Sequence, residues 1–77
     1  MRGDQCRGAR AMLDISREKL AELAKVNERT ISDFETGRRK PIPATLAAIR
    51  AALEAAGVIF VEENGEGPGV RLRKDRT

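Results

Sequence analysis

The decisive stretch runs Ser16-Arg17-Glu18-Lys19-Leu20-Ala21-Glu22-Leu23-Ala24-Lys25-Val26-Asn27-Glu28-Arg29-Thr30-Ile31-Ser32-Asp33-Phe34-Glu35-Thr36-Gly37. Its apolar residues recur at helical spacing, and polar residues divide it into two short helices. Ser16 is a hydroxyl N-cap for the first. Lys19 stands where a capping-box Glu would sit, so the box is incomplete, although Glu18 favours the dipole in the first turn. Leu20, Leu23 and Ala24 are expected to mark the buried face, and small Ala21 lets a neighbouring helix approach closely. A tight turn follows at Ala24, Lys25 and Val26, with Val26 filling the corner. Asn27 caps the second helix, Glu28 to about Glu35, whose inward residues are Ile31 and Phe34. Gly37 ends it where a left-handed conformation is wanted. The outer face of this second helix is left free, and a helix of its size fits the major groove of duplex DNA.

Working outward, Asp4 is read as the N-cap of a first helix that reaches Leu13, with Cys6, Ala9 and Leu13 on one face. Downstream, Pro41 and Pro43 bound a linker. A fourth helix follows from about Ala44, with Leu46, Ile49 and Leu53 inward and Gly57 closing it. The tail changes character. Val58-Ile59-Phe60-Val61 and Val70-Arg71-Leu72-Arg73 are β-prone runs flanking a glycine-rich loop, which predicts a hairpin. The expected organisation is a helical domain over 1–57 and a hairpin with a basic tail over 58–77.

Composition narrows the function classes. The chain has 77 residues, room for one small core whose burial a dimer would extend. Its 15 Lys and Arg against 12 Asp and Glu give a formal charge of +3, a mild bias towards a polyanionic partner. There is one cysteine and no histidine, so neither an internal disulfide nor a zinc site is expected, and no cofactor is implied. The polar start lacks a signal-peptide pattern and no apolar run is long enough to span a membrane, which points to the cytoplasm. Two aromatic residues, Phe34 and Phe60, are too few for the stacking platforms of single-strand binders. The absence of His and the solvated positions of the carboxylates argue against an enzyme.

The chain resembles the Xre family of lambda-repressor-like regulators over about residues 5–56. That family's pattern is Ser-Gln-x-x-Leu-Ala, then Val-Ser-x-x-Thr-Ile-Ser, then Glu-x-Gly-x-x-x-Pro. Here these read Ser16-Arg17-Glu18-Lys19-Leu20-Ala21, Val26-Asn27-Glu28-Arg29-Thr30-Ile31-Ser32 and Glu35-Thr36-Gly37-Arg38-Arg39-Lys40-Pro41. The resemblance implies a mainly α fold: a four-helix lambda-repressor-like helix-turn-helix domain, here with a short C-terminal β-hairpin. It implies double-stranded DNA as partner, read by helix 27–36. Base-reading side chains are then expected among Glu28, Arg29, Thr30 and Asp33, with Arg29 the leading candidate because Arg–guanine is the commonest specific contact. Glu28 or Asp33 would accept from a cytosine amine or hold Arg29 in place. Ser16, Arg17, Asn27, Arg38, Arg39 and Lys40 resemble phosphate clamps. In related repressors the positions of Arg10 and Glu35 form a buried ion pair, and the same is expected here.

Two residues depart from the pattern. Arg17 replaces the usual Gln and would bind phosphate more strongly, and Lys25 replaces a common turn Gly. Plainer readings stand beside these roles: a solvated mixed-charge helix face, an ordinary charged loop, and two unlinked charges at Arg10 and Glu35. Cys6 reads as a small core residue rather than a redox sensor.

An isolated hairpin is marginal in water, so the tail needs cover. Val58, Ile59, Phe60, Val61, Val70 and Leu72 would either pack on the fourth helix or join a second copy in a symmetric homodimer. Arg71, Arg73, Lys74 and Arg76 would add a basic tail or keep an edge strand soluble. With no room for an effector domain, the expected function is a sequence-specific transcriptional repressor. The alternative is a protein-interaction module that binds another regulator; an antitoxin or controller protein, which also binds DNA, is a variant of the first reading.

Overall fold

Among the described residues six elements build the molecule, and local capping chemistry sets several of their ends. The computed structural model describes residues 1–63 and 65–74. The order is α1 (Gly3–Leu13), α2 (Arg17–Ala24), α3 (Glu28–Glu35), α4 (Pro43–Ala56), β1 (Val58–Val61) and β2 (Gly69–Leu72). The architecture is mainly helical: four helices and one antiparallel two-stranded hairpin.

Ser16 Oγ accepts from the Lys19 amide at 2.9 Å, and Asn27 Oδ1 from the Arg29 amide at 2.8 Å, closing the starts of α2 and α3. Gly37 ends α3 at φ 76°. The Arg38 amide donates to the Asp33 carbonyl at 2.8 Å and the Gly37 amide to the Phe34 carbonyl at 3.2 Å, a Schellman closure that uses up the last carbonyls.

Three sequence expectations are corrected. Asp4 is not the cap of α1; the helix begins two residues earlier, with Arg2 in the cap position. Gln5 Oε1 accepts from the Arg2 amide at 2.8 Å, the bond that the N3 residue makes in a capping box, while Asp4 pairs with the Arg2 guanidinium at 2.6 Å. Leu23 is 45% exposed rather than buried. On an eight-residue helix, Arg17, Leu20, Ala21 and Ala24 form one inward stripe, and Leu23 falls about 110° from its centre at 100° per residue. Pro43 is no linker residue but the first of α4, where a missing N–H costs nothing.

The core gathers Cys6 and Ala9 of α1, Leu20 and Ala21 of α2, Ile31 and Phe34 of α3, Ile49 and Leu53 of α4, and Val58 and Phe60 of β1. Gly3 packs so tightly on the carbonyl of Phe34 that a side chain there would collide with backbone. The hairpin shares this core. Its register pairs Val58 with Leu72, Ile59 with Arg71, Phe60 with Val70 and Val61 with Gly69. Because cross-strand partners share a face, Val58, Phe60 and Val70 turn towards α1 and α4. Gln5 Nε2 donates to the Gly69 carbonyl at 2.9 Å, and the Arg50 guanidinium lies 5.2 Å from the centre of the Phe60 ring. Among the described residues, no helix is long and apolar enough to cross a membrane.

Candidate nucleic-acid interface

Helix α3 carries two sets of residues on opposite sides. Ile31, Phe34 and Glu35 are buried, while Glu28 and Arg29 are exposed and Thr30 and Asp33 half-buried. The turn before it brings α2 and α3 together at the cost of a left-handed residue. Lys25 sits at φ 59°, ψ 45°, a conformation that a β-carbon disfavours by about 1 kcal/mol or more. The Val26 amide closes the turn on the Ala21 carbonyl at 3.0 Å.

On the outer side, Asn27, Arg29, Thr30, Asp33, Arg39 and Pro41 line one shallow groove. The Arg29 side chain is 80% exposed and that of Asp33 18%, with Arg29 Nε 3.9 Å from Asp33 Oδ2. Beyond the helix, Arg38, Arg39 and Lys40 are all exposed. Their loop is anchored by the Asp33 carbonyl, which accepts from the amides of both Arg38 (2.8 Å) and Arg39 (3.2 Å). Ser16 and Asn27 have committed their side-chain oxygens to capping. What they retain for a phosphate is a hydroxyl proton and an amide NH₂.

The inner side is held by one carboxylate. Glu35 Oε2 accepts from Arg10 Nε at 2.7 Å and Oε1 from Arg10 Nη2 at 2.7 Å, a two-pronged pair. Arg17 Nε donates to the same Oε1 at 3.0 Å, and Cys6 Sγ donates to Oε2 at 3.2 Å. Arg10 also reaches the Ile15 carbonyl at 3.2 Å. Glu35 therefore ties α1, α2 and α3 together. Burial pushes its carboxyl pKa up, but the hydrogen bonds from Arg10, Arg17 and Cys6 outweigh burial and hold it below the usual range. Burial, reinforced by the Glu35 carboxylate, pushes the Cys6 thiol up to about 12, so the thiol stays protonated.

Sequence reasoning did not find that Arg17 and Cys6 share Glu35. Arg17 is the residue that departs from the Gln of the Xre pattern, and its side chain remains 33% exposed beside the start of α2. No local spacing announces a contact across eighteen positions of sequence. The helical period of α2 does place Arg17 on the inward stripe, and that was the available signal.

The helix-turn-helix family model matches residues 7–56, from within α1 to the end of α4. The chain belongs to this family. No curated protein matches it. As a lambda-repressor-like helix-turn-helix protein it is a DNA-binding regulator, and α3 is the second helix of the motif. Of the apolar hairpin residues, Val58 (1% exposed) and Phe60 (8%) lie in this helix-turn-helix protein's own core, whereas Ile59 and Leu72 are exposed and Val61 and Val70 half-buried. Arg71, Arg73 and Lys74 are exposed, and Arg76 lies outside the described residues.

Proposed function

We propose that this protein is a sequence-specific, cytoplasmic transcriptional repressor that binds double-stranded DNA as a homodimer. One observation carries the reading: Arg29 projects from the exposed side of α3, between a capped helix start and the basic Arg38-Arg39-Lys40 loop. Base edges in the major groove are offered to Glu28, Arg29 and Thr30, with Asp33 beside them, and flanking phosphates to Ser16, Arg17, Asn27, Arg38, Arg39 and Lys40. Repression follows from occupancy of the site alone. The dimer reading rests on the hairpin, a sheet of two strands among the described residues with Ile59 and Leu72 exposed on it. A two-fold through it would set two recognition helices about 34 Å apart on successive major grooves.

Selection from a random duplex library by the purified protein, at about physiological salt, tests this reading. An enriched inverted repeat is the expected result. Weak, salt-sensitive binding with no enriched sequence would reject it in favour of the protein-partner alternative.

A further inference from the structure

The four residues assigned to base reading are not equivalent. Glu28 and Arg29 are exposed, and Arg29 extends its guanidinium into solvent with only a fifth of the side chain covered. Asp33 is the reverse, with less than a fifth of its side chain accessible. It sits one helical turn beyond Arg29, on the same face, with its carboxylate 3.9 Å from Arg29 Nε. Arg39 lines the same groove from the loop side. A short carboxylate recessed beneath Arg29 is poorly placed to reach a cytosine amine. It is well placed to fix the rotamer of the longer side chain above it.

Nε is also the atom that Arg29 can spare. An arginine reads guanine through two donors aimed at O6 and N7, and its fork offers five N–H groups. With Nε turned towards Asp33, the two Nη groups are left for a base. The backbone of Asp33 meanwhile holds the Arg38 and Arg39 amides, so one residue sets both the reading side chain and the clamping loop.

We propose that Asp33 touches no base: it is the positioning residue that aims Arg29 at a guanine, and each half-site therefore contains a guanine read by Arg29. This deepens the regulator reading above and rests on it. Removing Asp33 leaves Arg29 charged but free among rotamers. Guanine preference then falls while general affinity for duplex does not, because a recessed carboxylate contributes no attraction to phosphate.

The test uses the full chain and duplexes drawn from the selected site, with guanine at the Arg29 position replaced in turn by adenine, cytosine, thymine and 7-deazaguanine, which lacks the N7 acceptor. Wild type is expected to prefer guanine over 7-deazaguanine by about tenfold, the scale of one good bidentate contact. Arg29→Ala should erase that preference. Asp33→Asn, nearly the same shape, should cut it severalfold while the slope of log affinity against log salt and the melting temperature stay unchanged. A cytosine preference that disappears in Asp33→Asn would overturn the proposal by making Asp33 a direct reader. An unchanged guanine preference in Asp33→Asn would overturn it too. If wild type binds no duplex selectively, the regulator reading itself fails, and this inference with it.

Discussion

The two sides of α3 carry arginine–carboxylate pairs of opposite kinds. At Glu35 a fully buried carboxylate takes two donors from Arg10, one from Arg17 and one from Cys6. At Asp33 a single exposed arginine stands 3.9 Å away, the spacing of a loose surface pair. The difference is one of solvent. Buried charges must be matched because water cannot compensate for a missing partner, so such a site tolerates no loss. A pair with one partner in solvent is screened, contributes about 0.3–0.5 kcal/mol, and leaves the remaining donors of the arginine for a ligand. The same two residue types therefore serve as a fixed joint on one side of the helix and as an aiming contact on the other.

The strongest way to break this contrast is Glu35→Ala. It strands Arg10 and Arg17 against the core and should cost about 3–5 kcal/mol in urea unfolding. A loss below about 1 kcal/mol would place Glu35 in the same class as Asp33.

A pH series sharpens the buried side further. The folded Cys6 thiol titrates near 12 against an ordinary value of 9.0, so the unfolded chain releases its proton first. Stability from this group is complete below pH 9 and falls by about 1.4 kcal/mol per unit as pH rises towards 12. Cys6→Ala should flatten that extra alkaline slope relative to wild type. Parallel curves would show the thiol to be unimportant.

On the exposed side, Arg39→Ala should leave stability within about 0.5 kcal/mol of wild type. Affinity for every duplex should fall alike, and the salt slope should drop by about one unit. A loss confined to one sequence would turn Arg39 from a clamp into a reader. The smallest effect is expected between the two sides. Lys25→Gly relieves the left-handed turn but loosens the unfolded chain, for a net gain of about 0.5 kcal/mol in thermal unfolding. A loss would mean that the lysine side chain does more than occupy the turn.

How far the sequence discloses these features depends on how local their causes are. Ser16, Asn27 and Gly37 mark helix ends through contacts within three or four residues, and those boundaries are readable directly. The start of α1 is not, because Gln5 satisfies the Arg2 amide and the close approach of Gly3 to Phe34 is a tertiary fact. Leu23 misleads because two turns of helix give too few residues to define a stripe, and hydrophobicity alone then favours the larger side chain. Once Ile31 and Phe34 are taken as inward, Arg29 must face outward, so the interface side of α3 follows from its period. The sharing of Glu35 does not follow, since its four donated bonds come from α1 and α2, between 18 and 29 positions away. The hairpin is legible as a hairpin, but not the way in which Val58 and Phe60 complete the helical core.

The division of labour along α3 also bears on how such a protein diversifies. Its scaffold duties fall on Ile31, Phe34 and Glu35, while Glu28 and Arg29 carry no core contact. A lineage can therefore rewrite positions 28 and 29 without renegotiating the fold, and acquire new target sites by steps that selection on stability does not see.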